Sequence, residues 1–377
     1  MDEPRILLFY ITPHSGHHKA AVSIQRAIEI VNPRAYTHCI DAFNYTNPVM
    51  NRIVHKTYMQ LIRKRPEVWE YLYDNPNVVR RTQKLKSLIH KYNSRKLLNL
   101  IVEYQPDIII CTQAFPCGMV ADLKKYYGLE TSVIGVLTDY VAHSFWFYDT
   151  VDRYIVPDEL SKHKMINNGI AEEKIKILGI PIKPEFALSE DKAKIVKNLG
   201  LEPDLPIILV MGGGRGLGNI KQIVSFLYRI DIPFQIIVLA GVNKKLYRFL
   251  KRREKKWSRK KKMLVYGYVD NVWELMTVAD ILISKPGGIT TAEALAKGLP
   301  MVIFNPLPGQ ERSNTEFLLK VGAAIKCDRI IDLPVLVKDL LVNRDKLKIM
   351  ALNAHKHGHP DASLKIAQEA LSIIGKK

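Results

Sequence analysis

Apolar residues in this chain cluster into short, nearly solid runs instead of alternating with polar ones. In the first half such runs occupy residues 5–11, 107–111, 131–137, 152–156 and 175–178, with a further strand at 36–40 that ends in Asp41. In the second half they occupy residues 206–211, 234–240, 263–266, 279–283, 300–304 and 323–326. Runs of this length bounded by Gly, Pro or Asp predict strands covered on both faces, as in parallel sheets. Segments with helical spacing alternate with them, at 19–31, 158–168, 290–297, 333–341, 344–353 and near 361–374. The pattern therefore predicts an α/β chain in which the strand–helix unit starts twice. Residues 179–184, Gly-Ile-Pro-Ile-Lys-Pro, read as an extended, proline-stiffened connector, which divides the chain into residues 1–180 and 181–377. Only the stretch 43–100 breaks the rhythm.

Composition narrows the class. A chain of 377 residues is long enough for about two to three domains, and two is the simpler reading. Apolar content of 47% and charged content of 25% are those of an ordinary globular protein. No apolar run approaches the roughly 18–20 residues of a spanning helix, and the chain opens with Asp2 and Glu3 instead of a basic leader, so a cytoplasmic protein is expected. Cys39, Cys111, Cys117 and Cys327 have no metal-ligand spacing and read as reduced, buried thiols.

Charge is the abnormal feature. A net charge of +19 calls for an anionic partner, either nucleic acid or an acidic membrane surface. Residues 51–100 carry twelve Lys and Arg against three acids, interleaved with Tyr58, Trp69, Tyr71, Tyr73 and Tyr92. That mixture suits a phospholipid headgroup layer, with Arg63, Lys64, Arg65, Trp69, Arg80 and Arg81 as the candidate membrane and acceptor residues. A solvated helix face with its aromatics in the core is the alternative reading. Residues 244–262 carry twelve Lys and Arg against Glu254 alone. Here a solvated helix is the first reading, and lipid or RNA contact the second.

The stretch 284–314 most needs a ligand to explain it. Pro286-Gly287-Gly288 ends a buried strand with two residues free to take positive φ and bring bare backbone close to a ligand. Thr290-Thr291-Ala292-Glu293 has capping-box spacing, and Gly298 is placed to end the helix that follows. Two glycines at a helix N-terminus suit a phosphate or diphosphate. The polar loop 306–314 offers Gln310, Glu311 and Asn314 to a hydroxyl-rich group, at about 1 kcal/mol net per hydrogen bond. A bland reading, in which Glu293 only closes the capping box, remains open. The loop 212–218, Gly-Gly-Gly-Arg-Gly-Leu-Gly, fits neither a Walker A motif nor G-x-G-x-x-G, which removes ATPase and dehydrogenase readings. Through Gly213, Gly214 and Arg215 it suits close approach to a phosphate or sugar. In the first half, Ser15 is the plausible N-cap of the first helix, and His17 stands where a helix dipole lowers imidazole pKa. The loop 138–146 gathers Asp139, His143 and aromatics, and Asp139 reads equally well as a cap of a local turn.

The string KPGG-x-T-x-x-EA followed by PxPGQExxN resembles the donor-binding half of the monogalactosyldiacylglycerol synthases and the bacterial processive diacylglycerol glucosyltransferases. These are relatives of the peptidoglycan N-acetylglucosaminyltransferase. The resemblance runs over nearly the whole chain, strongest after Gly179 and weakest over 43–100. It implies two Rossmann-like domains facing a cleft, the GT-B type, with the last helix packing back on the N-terminal domain. It implies that Gly287, Gly288 and Thr290 meet the diphosphate of UDP, that Glu293 takes the ribose, and that Gln310 with Glu311 grips the hexose. Asn314 falls on the same motif, and the backbone at Tyr268 and Val269 corresponds to the uracil-reading turn. His17 falls on the family's loop histidine, although His14 and Ser15 replace family glycines; Asp139 and His143 match a Thr-Asp, His, Trp stretch.

The implied reaction is inverting transfer of glucose or galactose from a UDP-sugar to diacylglycerol at the inner face of the cell membrane. His17 or Asp139 would remove the acceptor proton, with His143 in the same candidate group. No metal is expected, since Asp-x-Asp is absent from the chain, and UDP-glucose or UDP-galactose is a substrate and not a cofactor. Anionic membrane lipids are expected partners and nucleic acid is not. Two alternatives stay open: a UDP-sugar 2-epimerase, and a non-catalytic UDP-sugar sensor that binds membrane or RNA.

Overall fold

The computed structural model describes residues 3–48, 95–307 and 309–375, so the candidate membrane residues Arg63, Lys64, Arg65, Trp69, Arg80 and Arg81 lie outside the described residues. Within it the solid apolar runs become two six-stranded sheets. The first holds β1 (Arg5–Tyr10), β2 (Tyr36–Asp41), β3 (Ile108–Cys111), β4 (Ser132–Val136), β5 (Arg153–Val156) and β6 (Ile175–Ile177) in the order β2-β1-β3-β4-β5-β6. The second holds β7 (Ile207–Met211), β8 (Gln235–Leu239), β9 (Met263–Tyr266), β10 (Ile281–Ser284), β11 (Met301–Phe304) and β12 (Ala324–Cys327) in the order β12-β11-β10-β7-β8-β9. Every strand pairing among the described residues is parallel.

Each face of the first sheet has its own core. Ile6, Leu8, Ile108, Ile110, Ile134 and Val136 pack with Ala21, Ile24, Ala27 and Ile28 of the helix Gly16–Val31. The same cluster takes in Ile366, Ala367 and Ala370 of the helix Ala362–Ile374. The alternate residues Leu7, Phe9, Ile109 and Cys111 pack with Cys117 and Val120 of the helix Ala114–Tyr127. A strand covered on both sides has no position for water, which is why its sequence does not alternate.

The chain divides into two compact units. Unit 1 comprises Met1–Pro184, Leu307–Gln310 and Asp361–Lys377, and unit 2 comprises Glu185–Pro306 and Glu311–Pro360. The last helix is thus part of unit 1, where Glu369 pairs with Arg153 and with Lys176, each at 2.9 Å. All four cysteines are unpaired; Cys111, Cys117 and Cys327 are buried and Cys39 is only partly covered. No helix among the described residues is long and apolar enough to cross a membrane.

Strand order fixes where ligands can enter. In unit 1 the order turns back between β1 and β3, and in unit 2 between β7 and β10. At such a switch point the loops leaving the carboxyl ends of neighbouring strands diverge to opposite faces and open a crevice. Unit 1 thereby brings the loop after β1, which leads to His17, beside Thr112 at the end of β3. Unit 2 brings the glycine loop 212–218 beside the turn 285–287.

Truncating Ile366 tests the place of the last helix in the first core. Ile366 is fully buried, so Ile366→Ala should lower unfolding free energy by about 2–5 kcal/mol in urea titrations; an unchanged value would detach that helix from the core.

Candidate active site

In unit 2, β10 runs through Lys285 and Pro286 into Gly287, which is the N-cap of the helix Gly288–Ala296. The expected capping box does not form. Thr290 lies inside the first turn, and the helical ladder already begins with the Thr291 amide on the Gly287 carbonyl at 2.8 Å. Nor do the two glycines use positive φ: Gly287 sits at φ −65° and ψ 144°, and Gly288 is helical. The space beside Gly287 is open, since a Cβ there would meet nothing within 4 Å. No side chain caps this helix, so its first amides and the positive end of its dipole are available to an anion.

The surroundings are polar and ordered. Asn314 is fully buried and its Nδ2 donates to the Pro286 carbonyl at 2.9 Å, which pins the turn from below. Lys285 Nζ pairs with Glu311 Oε1 at 2.8 Å, both side chains mostly covered. Glu293, 5% exposed, and Thr290, 9% exposed, lie on the same short helix. The stretch expected as a polar loop is in part a helix: Gln310–Lys320 is helical, so Gln310, Glu311 and Asn314 stand on its first turns. Gly309, at φ 84°, forms the turn that delivers the helix start.

Three further loops line the carboxyl edge of the second sheet. In 212–218, Gly213, Gly216 and Gly218 all take positive φ, and a Cβ on Gly216 would lie 2.0 Å from the Ala240 carbonyl oxygen. The turn after β8 packs directly on this loop, with the Val242 amide donating to the Gly214 carbonyl at 2.9 Å. Gly267 approaches Gly241 in turn, so Tyr268 and Val269, just beyond β9, share that edge. Tyr268 is 51% exposed. Arg215 is half-buried in the glycine loop.

In unit 1, Ser15 caps the first helix by accepting from the His18 amide at 3.2 Å. The preceding loop is held by Asp41, which accepts from the Thr12 amide at 3.1 Å and from the Asn44 amide at 2.9 Å. His14 takes φ 62°, the left-handed conformation for which glycine is the easy choice, so the loop keeps a glycine-like path without the glycine. His17 Nδ1 lies 3.0 Å from the Thr112 carbonyl oxygen and 2.8 Å from Thr138 Oγ1. A carbonyl can only accept, so Nδ1 carries the hydrogen and Nε2 keeps its lone pair. Burial pushes the imidazole pKa down to about 4, and the Thr112 carbonyl opposes that shift. Desolvation, more than the helix dipole expected from sequence, therefore keeps His17 neutral at pH 7.

Of the other two candidates, Asp139 directly follows Thr138 and is partly exposed. His143 is buried at 8% and its ring meets Phe145 at 5.7 Å and Trp146 at 6.2 Å. Sequence reasoning missed Lys285, Thr112 and Thr138 as partners of the candidates. Thr112 was signalled only by its place at the end of β3, since it acts through its backbone carbonyl. Among the described residues no group of three His, Cys, Asp or Glu side chains is arranged to hold a metal.

Comparison with known proteins agrees with this layout. Residues 17–182 match the Monogalactosyldiacylglycerol (MGDG) synthase family, and residues 191–357 match Glycosyl transferases group 1. A processive diacylglycerol beta-glucosyltransferase of Bacillus pumilus is 31% identical over 352 residues, covering 93% of this chain and 90% of that protein. Among solved structures, MurG of Acinetobacter baumannii shares the fold with a TM-score of 0.65 at 16% identity, over 98% of this chain and 100% of its own. A UDP-GlcNAc 2-epimerase of Neisseria meningitidis shares it with a TM-score of 0.60 at 13% identity, over 98% and 99%. The fold is thus GT-B-like, and the chain is a glycosyltransferase that belongs to the family of monogalactosyldiacylglycerol synthases and processive diacylglycerol glucosyltransferases.

Proposed function

We propose that this enzyme transfers a glucosyl or galactosyl group from a UDP-sugar to the free hydroxyl of diacylglycerol, with inversion and without a metal, while attached to a membrane surface. The observation that carries the reading is the uncapped N-terminus of the helix Gly288–Ala296 at the β7/β10 switch point, with an open face above Gly287. Free amides and a helix dipole there neutralise the departing diphosphate, the task that a metal ion performs in other transferases. Gly213, Gly214 and Arg215 add a second set of main-chain donors and a cation on the neighbouring loop. Glu293 takes the ribose hydroxyls, the main chain at Tyr268 and Val269 reads the uracil, and Gln310 with Glu311 takes the hexose. Lys285 fixes the Glu311 carboxylate through their 2.8 Å pair.

His17 is the general base. Its Nδ1 hydrogen is committed to the Thr112 carbonyl, so Nε2 accepts the proton of the acceptor hydroxyl as the oxygen attacks the anomeric carbon from the side opposite the diphosphate. Attack from that side inverts the configuration. Asp139 orients or assists that hydroxyl from the adjacent loop, and His143 shapes its aromatic wall. The epimerase alternative shares the fold but needs no lipid, and the 31% identical relative is named for glucosyl transfer to diacylglycerol.

Incubation with UDP-glucose or UDP-galactose and diacylglycerol dispersed in detergent should yield a hexosyl lipid and UDP. Conversion of a UDP-sugar in the absence of lipid would favour the epimerase instead. His17→Ala should lower kcat by about 10²–10⁴-fold with UDP affinity retained, and normal turnover would remove it from the mechanism. Because burial holds His17 near pKa 4, its contribution to kcat/KM should be flat from pH 6 to 8 and decline only toward pH 4. The unfolded chain binds this proton first, near pH 6.5. Stability linked to His17 is therefore complete above that pH and is lost as pH falls toward 4, which acid titration of wild type against His17→Ala would reveal. Glu293→Ala should weaken UDP binding in calorimetry. Asn314→Ala, which leaves the Pro286 carbonyl without its buried donor, should cost about 1–3 kcal/mol of stability in denaturant titration.

A further inference from the structure

The basic run at 244–262 has no part in the transfer chemistry. In the structure it is the helix Lys244–Trp257 and the turn that follows it, lying between β8 and β9 of unit 2. Leu246 and Leu250 fix its buried side, and Tyr228 meets Trp257 at 4.8 Å between ring centroids. At 100° per residue, Lys244, Lys245, Arg248, Lys251, Arg252, Lys255 and Lys256 fall within an arc of about 140° on the other side, and all seven are exposed. The one acid of the run is used internally: Glu254 pairs with Lys251 at 2.6 Å and accepts from the Val265 amide at 2.9 Å. No other cation of this helix pairs with an acid among the described residues.

Such a face is unfavourable by itself. Lys244, Arg248, Arg252 and Lys256 follow one another at four-residue spacing, where like charges repel. Lys244 and Lys245 also stand at the positive end of the helix dipole. Anions arrayed along the helix, about 21 Å in length, would remove both penalties. The helix begins at the same sheet edge as the glycine loop, since Asn243 caps it and also donates to the Gly216 carbonyl at 3.3 Å. At that end Val242 is 59% and Tyr268 51% exposed, on turns that touch through Gly241 and Gly267.

We infer that the helix Lys244–Trp257 docks unit 2 onto an anionic lipid bilayer, with its cation face on the headgroups and Val242 and Tyr268 at the interface. A bilayer is favoured over nucleic acid for two reasons. Phe249, the phenylalanine of this helix, is already covered by Arg253 at 3.8 Å and Lys221 at 4.3 Å and is not an open platform for stacked bases. An exposed aliphatic and an exposed tyrosine beside a cation stripe match the amphipathic headgroup layer. The choice of a bilayer rests in part on the lipid acceptor proposed above, so the test reads docking and transfer separately.

The experiment compares wild type with the combined variant Lys244→Gln, Arg248→Gln, Arg252→Gln and Lys256→Gln, and with a charge-conserving variant in which the same four Lys and Arg are exchanged. Sedimentation with phosphatidylglycerol vesicles should show partition of the neutral variant reduced by about tenfold or more, and the charge-conserving variant near wild type. UDP affinity and transfer to detergent-dispersed diacylglycerol should be unchanged in all three, and thermal stability of the neutral variant should not be lower. Wild-type partition by the neutral variant, or equal loss in the charge-conserving one, overturns the inference. So does binding of short RNA or DNA at physiological salt that exceeds vesicle binding and is abolished by the same four substitutions. Absence of a lipid product with helix-dependent vesicle binding intact would overturn the acceptor and leave the docking surface standing.

Discussion

Covering both faces of a parallel sheet is the constraint from which the rest of this protein follows. Once Ile6, Leu8, Ile108 and Ile110 are committed to one core and Leu7, Phe9 and Ile109 to the other, no part of the strands is left for chemistry. Only the carboxyl-terminal loops remain. Each unit then has one place where those loops diverge, and each places its most unusual backbone there: left-handed His14 before the first helix, and the glycine loop beside an uncapped helix end in the second.

The two units solve different electrostatic problems with the same topology. Unit 2 presents an uncapped helix end, with its dipole, beside the covered Lys285–Glu311 pair. Unit 1 does the reverse, withdrawing water from an imidazole until its charged form is unfavourable. Unit 1 thus holds a neutral imidazole, and unit 2 an uncapped helix end.

Strands were legible because solid apolar runs of five or so residues admit few other readings, and the site string was legible because glycine, threonine and glutamate stood at fixed spacing. Connectivity was less so. That β7 lies beside β10 is decided by pairing across some seventy residues, and no local pattern records it. The same holds for His17, whose partners Thr112 and Thr138 are 95 and 121 residues away, one of them through a backbone carbonyl that any residue could supply. The capping box misled because the helix starts at Gly288 with Gly287 as its N-cap, which leaves Thr290 inside the first turn and not at the cap position. Proline and glycine before Gln310 masked a helix whose register sets Glu311 and Asn314 on its first turns.

Ile366, Ala367 and Ala370 complete a core whose other members lie within the first half of the sequence. During synthesis, the first sheet therefore emerges long before the helix that seals one of its faces. Unit 2 can close on its own segments while unit 1 waits with apolar surface uncovered until the helix Ala362–Ile374 has been made. Maturation of unit 1 is thus tied to prior synthesis of unit 2, and a chain ending before Ala362 would leave one face of the first sheet exposed.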